Sequence, residues 1–304
     1  MKILGVGETV LDRICLLQSY PSEGIKTDVV KTEYSLGGFV SPALILLSRL
    51  GGQCTLITTL GKDLSGKEIA KKLMKENIDL VPCFQSQTKT HMVLVNGDNG
   101  SRTIIKDKST RDPIKDIPDK IIQEADLIVL DRHEPLIFKK IIRKKRPSSK
   151  IIFDPSVEVS KKVMKMLHQV EFVILPIESL IKICPKDDLG KKLRYLNKRF
   201  RKPIIITAGP LGSLVCQNGK IKIIPAYKIA AVDVLGAGDV FRAAFGYGVL
   251  KNWSLDRSVR YANLVAGLQC TKIGNGSAIP TKKEIEKFEK TAQQKQPLSI
   301  ENFL

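Results

Sequence analysis

The residues most able to do chemistry lie in one run, Asp233-Val234-Leu235-Gly236-Ala237-Gly238-Asp239, which leads into the apolar stretch Val240-Phe241-Arg242-Ala243-Ala244-Phe245. Small residues at 236–238 let a backbone approach a ligand closely, and the stretch behind them begins a helix whose first N–H groups have no partner within the helix. Gly236, Ala237 and Gly238 would then form an anion hole, with their amides and the positive end of the helix dipole holding phosphate oxygens that gain charge during transfer. A carboxylate at the edge of that hole, Asp239, is placed to take a proton from an attacking hydroxyl. On residue types alone a plainer reading stays open, in which the glycines shape a turn and Asp239 only caps the helix.

Two other glycine motifs carry less. Gly5-Val6-Gly7 follows an apolar strand, but Val10 stands where a dinucleotide fingerprint needs its third glycine. Gly61-Lys62-Asp63-Leu64-Ser65-Gly66-Lys67 has P-loop spacing, yet Glu68 replaces the hydroxyl that would hold magnesium. A strand-to-helix turn is expected there. Asp131-Arg132-His133-Glu134 follows an apolar run, at the strand end where open α/β sheets bind ligands; Arg132 could read an anionic group on a substrate, or pair with Glu134. His91 and His168 lack metal-ligand spacing and are expected to be structural.

The elements that must hold these residues alternate. Residues 2–7 and 54–60 read as strands around an apolar helix at 43–50, with a second helix near 66–76. Segments 12–17 and 27–34 are more polar and suggest a hairpin, followed by strand-like pieces at 90–95 and 102–106. The runs 127–130, 151–153, 172–175 and 203–207 are short and continuously apolar, as in strands covered on both faces. An α/β fold with a central, mainly parallel sheet flanked by helices follows, built as one domain over residues 1–304.

The formal net charge is +19, and a basic chain attracts nucleic acid, acidic lipid or anionic small molecules. Its densest run, from Lys139 to Arg146, has no aromatic pair or zinc pattern beside it and reads as a solvated helix end rather than a specific nucleic-acid site. Six scattered cysteines form no CxxC pair, so reduced thiols are expected. No basic-then-apolar leader and no long apolar span is visible, and a cytoplasmic protein is expected.

The 233–239 run resembles the Asp-Thr-x-Gly-Ala-Gly-Asp signature of the ribokinase-like, PfkB-type carbohydrate kinases. The similarity continues along the chain: Gly7 and Asp12 resemble the opening strand and sugar-binding aspartate, and Gly37-Gly38 the diglycine before the first helix. Thr207, Gly209 and Gly212 are similar to a Thr-x-Gly-x-x-Gly segment near the nucleotide. Ala262-Asn263 with Pro280-Thr281 resembles part of the adenine pocket. The resemblance implies a ribokinase-like fold with a small β-sheet lid over about 10–36 and 85–108, and Asp239 as base over the Gly-Ala-Gly hole. It implies Asp12, Gly37 and Gly38 on the substrate, where the strand-end position also puts Arg132, and Thr207, Gly209, Gly212 and Asn263 on ATP. It also implies magnesium, a monovalent cation, and Asp233 near a metal. Lid edges would allow a homodimer.

Two departures bear on function. Pro42 replaces the usual sugar-binding asparagine and offers no side-chain donor or acceptor. Ile177 and Leu180 replace the usual asparagine and glutamate that handle magnesium, which then depends on the ATP phosphates and its own waters. The expected activity is transfer of the ATP γ-phosphate to a hydroxyl of a sugar or sugar-like molecule. The alternatives are a nucleoside or phosphosugar kinase of the same family, or a non-catalytic binding protein that keeps the fold.

Overall fold

The computed structural model describes residues 1–107, 112–183, 188–274, 276–296 and 299–303. The chain opens with β1 (Lys2–Val6), β2 (Val10–Leu17), β3 (Lys31–Gly37), α1 (Val40–Arg49), β4 (Gln53–Gly61), α2 (Leu64–Lys75), β5 (Ile78–Gln85), β6 (Thr90–Asn96) and β7 (Arg102–Lys106). It continues through α3 (Asp119–Glu124), β8 (Leu127–Asp131), α4 (Pro135–Lys144), β9 (Lys150–Asp154), α5 (Lys161–Leu167), β10 (Val173–Pro176), α6 (Ile177–Ile183) and α7 (Leu189–Phe200). The last part holds β11 (Ile204–Thr207), β12 (Ser213–Gln217), β13 (Lys220–Ile224), α8 (Ala237–Leu250), α9 (Leu255–Gln269) and α10 (Lys282–Thr291).

Five parallel strands pair in the order β5-β4-β1-β8-β9, and a second ladder runs β10-β11-β12-β13, parallel at first and antiparallel at its far edge. The apolar runs of β1, β8 and β9 are buried on both faces, as parallel strands between helices must be. One face packs against α1, α8 and α9 through Leu44, Phe245 and Val265. The other packs against α3, α4 and α7 through Ile122, Phe138 and Leu193. Helix starts follow local chemistry: Asp63, Ser160, Asp188 and Ser254 accept from amides of the first turns, and Thr281 and Glu284 close a capping box.

A four-stranded sheet, β3-β2-β6-β7, stands apart from the main one, with β2 parallel to β6 and antiparallel to β3. It takes its strands from the 10–36 and 85–108 segments, of which Lys108 lies outside the described residues. β3 begins at Lys31, not 27, so residues 27–30 are connection. Strand β5 interrupts the pattern read from sequence: Pro82 and mixed burial disguise an edge strand of the main sheet.

The P-loop-like segment is a strand-to-helix turn. Asp63 accepts from Gly66 N at 2.8 Å and from the Thr88 hydroxyl at 2.6 Å, so the protein's own carboxylate fills the helix start. The basic run on α4 is largely neutralised in place: Lys140 and Lys144 pair with Asp119, Lys145 with Glu171 and Arg146 with Asp126.

Candidate active site

Gly236 precedes α8 as its N-cap with φ of 75°, a left-handed conformation that glycine adopts without strain. Asp239 is therefore the third helical residue and not the cap, and no side chain caps this helix. The amides of Gly238 and Asp239 lie in the first turn, where no carbonyl of the helix can reach them. Ala237 N makes a long 3.3 Å bond back to Val234 O.

Asp233 fixes the approach to this turn. Its two carboxylate oxygens accept from Leu235 N at 2.9 Å and from Gly274 N at 2.8 Å. Gln269 at the end of α9 donates to the carbonyls of Leu235 and Gly274, and the amides of Val232 and Asp233 donate to Cys270 O. The charge expected near a metal is thus used to fasten the turn. Among the described residues, no three His, Cys, Asp or Glu side chains could share a metal ion.

Asp239 is only partly exposed, and its charge is contested. Burial first, and then the neighbouring Asp154 carboxylate, push its pKa from an ordinary 3.8 to about 7, while Arg242 and Arg102 pull the other way. Asp154 ends β9 and is held by Arg242 of α8, with Nη2 at 3.1 Å from Oδ1, and by Ser156 N at 2.9 Å. Arg242 also donates to Gly238 O at 3.1 Å, so one buried guanidinium ties the second carboxylate to the backbone of the turn that starts α8. A carboxylate poised near neutrality beside open amides can hold or release a proton at working pH.

Asp12 lies on β2 with its charge felt at Asp239. It is buried, His91 Nδ1 stands 3.4 Å from its Oδ1, and a Cβ at Gly37 would collide with its carboxylate. Gly38 turns with φ of 79° against the Glu8 carbonyl, where any side chain would clash. Asp131 brackets two loops at this end of the sheet, accepting Glu8 N at 2.6 Å and His133 N at 2.8 Å. Glu8 stands between Lys89 Nζ at 3.0 Å and His133 Nε2 at 3.7 Å. Arg132 pairs with Glu158 at 2.6 Å; Glu134, its expected surface partner, is buried and accepts Ile114 N instead.

On the far side, Thr207 ends β11, Gly209 opens a short 3-10 turn over Gly209–Leu211, and Gly212 packs closely on the Ile224–Ala226 backbone. The Asn263 amide is spent on the protein: Oδ1 accepts Ser213 Oγ at 2.8 Å and Nδ2 donates to Ile224 O at 3.0 Å. It shapes this wall by holding β12 and β13 to α9. Pro42 and Leu180 are both buried, the latter in the apolar core, and Glu178 is exposed.

A family model described as pfkB family carbohydrate kinase matches residues 1–282. The chain belongs to this family. Ribokinases and a deoxyribokinase are among the relatives of this pfkB kinase, and the family's enzymes are phosphotransferases acting on sugar hydroxyls. It is 28% identical to an uncharacterized sugar kinase of Pyrococcus horikoshii over 96% of each chain. It is 26% identical to a nucleoside kinase of Methanothermobacter thermautotrophicus, again over 96% of each. The structure of Arabidopsis thaliana ribokinase complexed with ribose and ATP superposes with a TM-score of 0.77 at 20% identity, covering 94% of this chain and 97% of that one.

Sequence reasoning missed Asp154 and Arg242 in this pfkB kinase, and it picked out the segment of Asp131 without its bracing role. The signals were present: an acid closing an apolar strand, as in Ile151-Ile152-Phe153-Asp154, and a lone arginine inside the apolar start of α8.

Proposed function

We propose that this protein moves the γ-phosphate of ATP to a hydroxyl of a sugar-like small molecule by direct in-line transfer. The observation that carries the reading is Asp239, raised to about 7 and placed in the first turn of α8 beside the open amides of the anion hole. Asp239 takes the proton of the attacking hydroxyl, while the amides at the start of α8 receive the charge that grows on the phosphoryl oxygens. The acceptor lies between Asp12 and the Gly37-Gly38 turn, and ATP lies along Thr207, Gly209 and Gly212, in the wall that Asn263 braces. Arg132, held by Glu158, borders the acceptor side.

The small sheet acts as a lid. Leu235 of the anion-hole turn packs with Ile14, Val93 and Val95 of that sheet, and Arg102 of β7 lies 4.0 Å from Asp233. Closure there excludes water that would compete for the phosphoryl group. Its outer edge can pair with a second copy, giving a homodimer through the lids.

Leu180 lies in the core, both Asp233 oxygens accept backbone amides, and among the described residues no three His, Cys, Asp or Glu side chains could share a metal ion. Magnesium accompanies ATP as its phosphate complex, and no step here runs through a protein-held metal.

The test is ATP consumption against a panel of sugars, phosphosugars and nucleosides with magnesium present, using the protein and its Asp239→Asn variant. General-base assistance is worth about 10²–10⁴-fold, so the variant should lose turnover by that range. Equal turnover in the two proteins would remove Asp239 as the base, and no turnover with any acceptor would remove the kinase reading.

A further inference from the structure

His91, expected from spacing to be structural, belongs to a row that crosses the small sheet. Asp12 on β2 pairs with Ser35 on β3 and with His91 on β6. Residues directly opposite in neighbouring strands point to the same face. That face is turned toward the core: Ile14 and Val93, two positions further along, pack with Leu235, and a Cβ on Gly276 would stand 3.0 Å from the Ser35 hydroxyl.

All three side chains are nearly closed to solvent, Ser35 at 2% and Asp12 at 6% residue exposure and the His91 side chain at 10%. Yet Ser35 Oγ, Asp12 Oδ1 and His91 Nε2 have no hydrogen-bond partner among the described residues. Six buried side-chain atoms of the described residues are in that condition, and three of them sit in this one row. Buried polar atoms are ordinarily paired because leaving them bare is costly. A cluster of bare ones beside an active site points to groups supplied by a ligand.

The geometry points to this row as the acceptor-reading surface, with His91 and Ser35 as specificity-determining residues beside Asp12, fitted to a neutral molecule that presents at least two adjacent hydroxyls. The inference rests on the kinase reading and narrows its acceptor. A hydroxyl both donates and accepts, so it can serve the acceptor-only carboxylate of Asp12 and, through its neighbour, the imidazole or the serine. His91 Nδ1 stands 3.4 Å from Asp12 Oδ1 without a hydrogen bond between them, so both groups keep capacity for a ligand. An acceptor lacking one hydroxyl leaves a buried partner bare, which sites built on hydrogen bonds discriminate strongly. A phosphate placed against this row would face the Asp12 carboxylate and be repelled.

The probes are D-ribose and adenosine, their 2-deoxy counterparts, myo-inositol, and D-ribose 5-phosphate, each measured for ATP-dependent turnover with the protein and with His91→Leu and Ser35→Ala. A diol should be preferred to its deoxy counterpart by about tenfold or more in kcat/KM, the size of one hydrogen bond to a buried group. His91→Leu should cut that preference to about twofold to threefold through KM rather than kcat, the level left when the bare imidazole is gone. An unchanged preference in both variants, or a preference for D-ribose 5-phosphate over D-ribose, overturns the inference. If no acceptor is turned over, melting temperature decides. A polyol that stabilises the protein but not His91→Leu would retire the kinase reading and keep the row; no shift with any polyol would remove both.

Discussion

Asp239 ties the fold's energetics to its chemistry, because the same neighbours that tune it also strain it. A carboxyl raised to about 7 binds its proton more tightly in the folded chain than at the ordinary 3.8 of an unfolded one. Its contribution to stability is therefore greatest below the unfolded value and is lost as pH rises toward 7. Asp239→Asn should for this reason melt higher than the parent at pH 8 and nearly alike at pH 4, which scanning calorimetry at the two pH values would check. The rate should follow the opposite limb: kcat/KM rises as pH passes through about 7 and the carboxylate forms. Activity that is flat from pH 5 to 8 would show that another group takes the proton. Under the proposed mechanism the anionic side chain would cost stability at the pH where it supplies rate.

Helix α8 gathers the parts of that device. Its first turn supplies the amides, its third residue is Asp239, and one turn later Arg242 reaches back to Asp154. Replacing Arg242 by leucine would leave Asp154 buried and unpaired, a loss of about 3–5 kcal/mol that urea titration at pH 8 should resolve. The Asp239 transition should also move upward in the pH–rate profile, since Arg242 is the larger of the two cations holding it down. Gly236→Ala should cost about 1–2 kcal/mol for the left-handed conformation. Restoring a metal carboxylate by Leu180→Glu should fail, because Leu180 is fully buried in the core. The expected outcome is a fall of about 4 kcal/mol or more, read by denaturant titration, with no lower magnesium requirement. The anion-hole turn was legible in the sequence because glycines, an apolar helix start and an acid coincide over a few residues. Asp154 and Arg242 were not, since their pairing joins a strand end and a helix 88 residues apart. The β12–β13 hairpin was also passed over, although Asn218-Gly219, both with positive φ, is a strong local hairpin signal.

For the molecule as a whole, the alternating apolar runs were enough to read a parallel sheet covered by helices, because burial on both faces leaves a continuous signature. The edge was harder: β5 carries Pro82 and an exposed Phe84, and reads as connection. The net charge of +19 suggested a surface in search of an anion, but Lys140, Lys144, Lys145 and Arg146 of its densest run already face carboxylates. Any binding to duplex DNA should consequently be weak and lost between about 50 and 200 mM salt, as for contacts to phosphates alone, which a filter-binding series would show. The small sheet and the core are joined by Arg102 near Asp233 and by the Leu235 cluster. Arg102→Ala should speed amide exchange in β6 and β7 while leaving β1 and β8 protected, as expected of a locally opening unit. The alignment of Ser35, Asp12 and His91 has a further consequence, since it exists only in one pairing of three strands. Side chains alternate along a strand, so deleting one residue between Val10 and Asp12 would turn every later β2 side chain to the other face. With Leu11 gone, Asp12 would take its place against the core on the opposite face and Arg13 would enter the row. Length changes in the 18–30 connection leave the ladder alone. If the row reads the acceptor as proposed, the choice of molecule is encoded in registration as much as in residue identity, and designers who wish to alter it could move a strand by one step instead of redesigning a pocket.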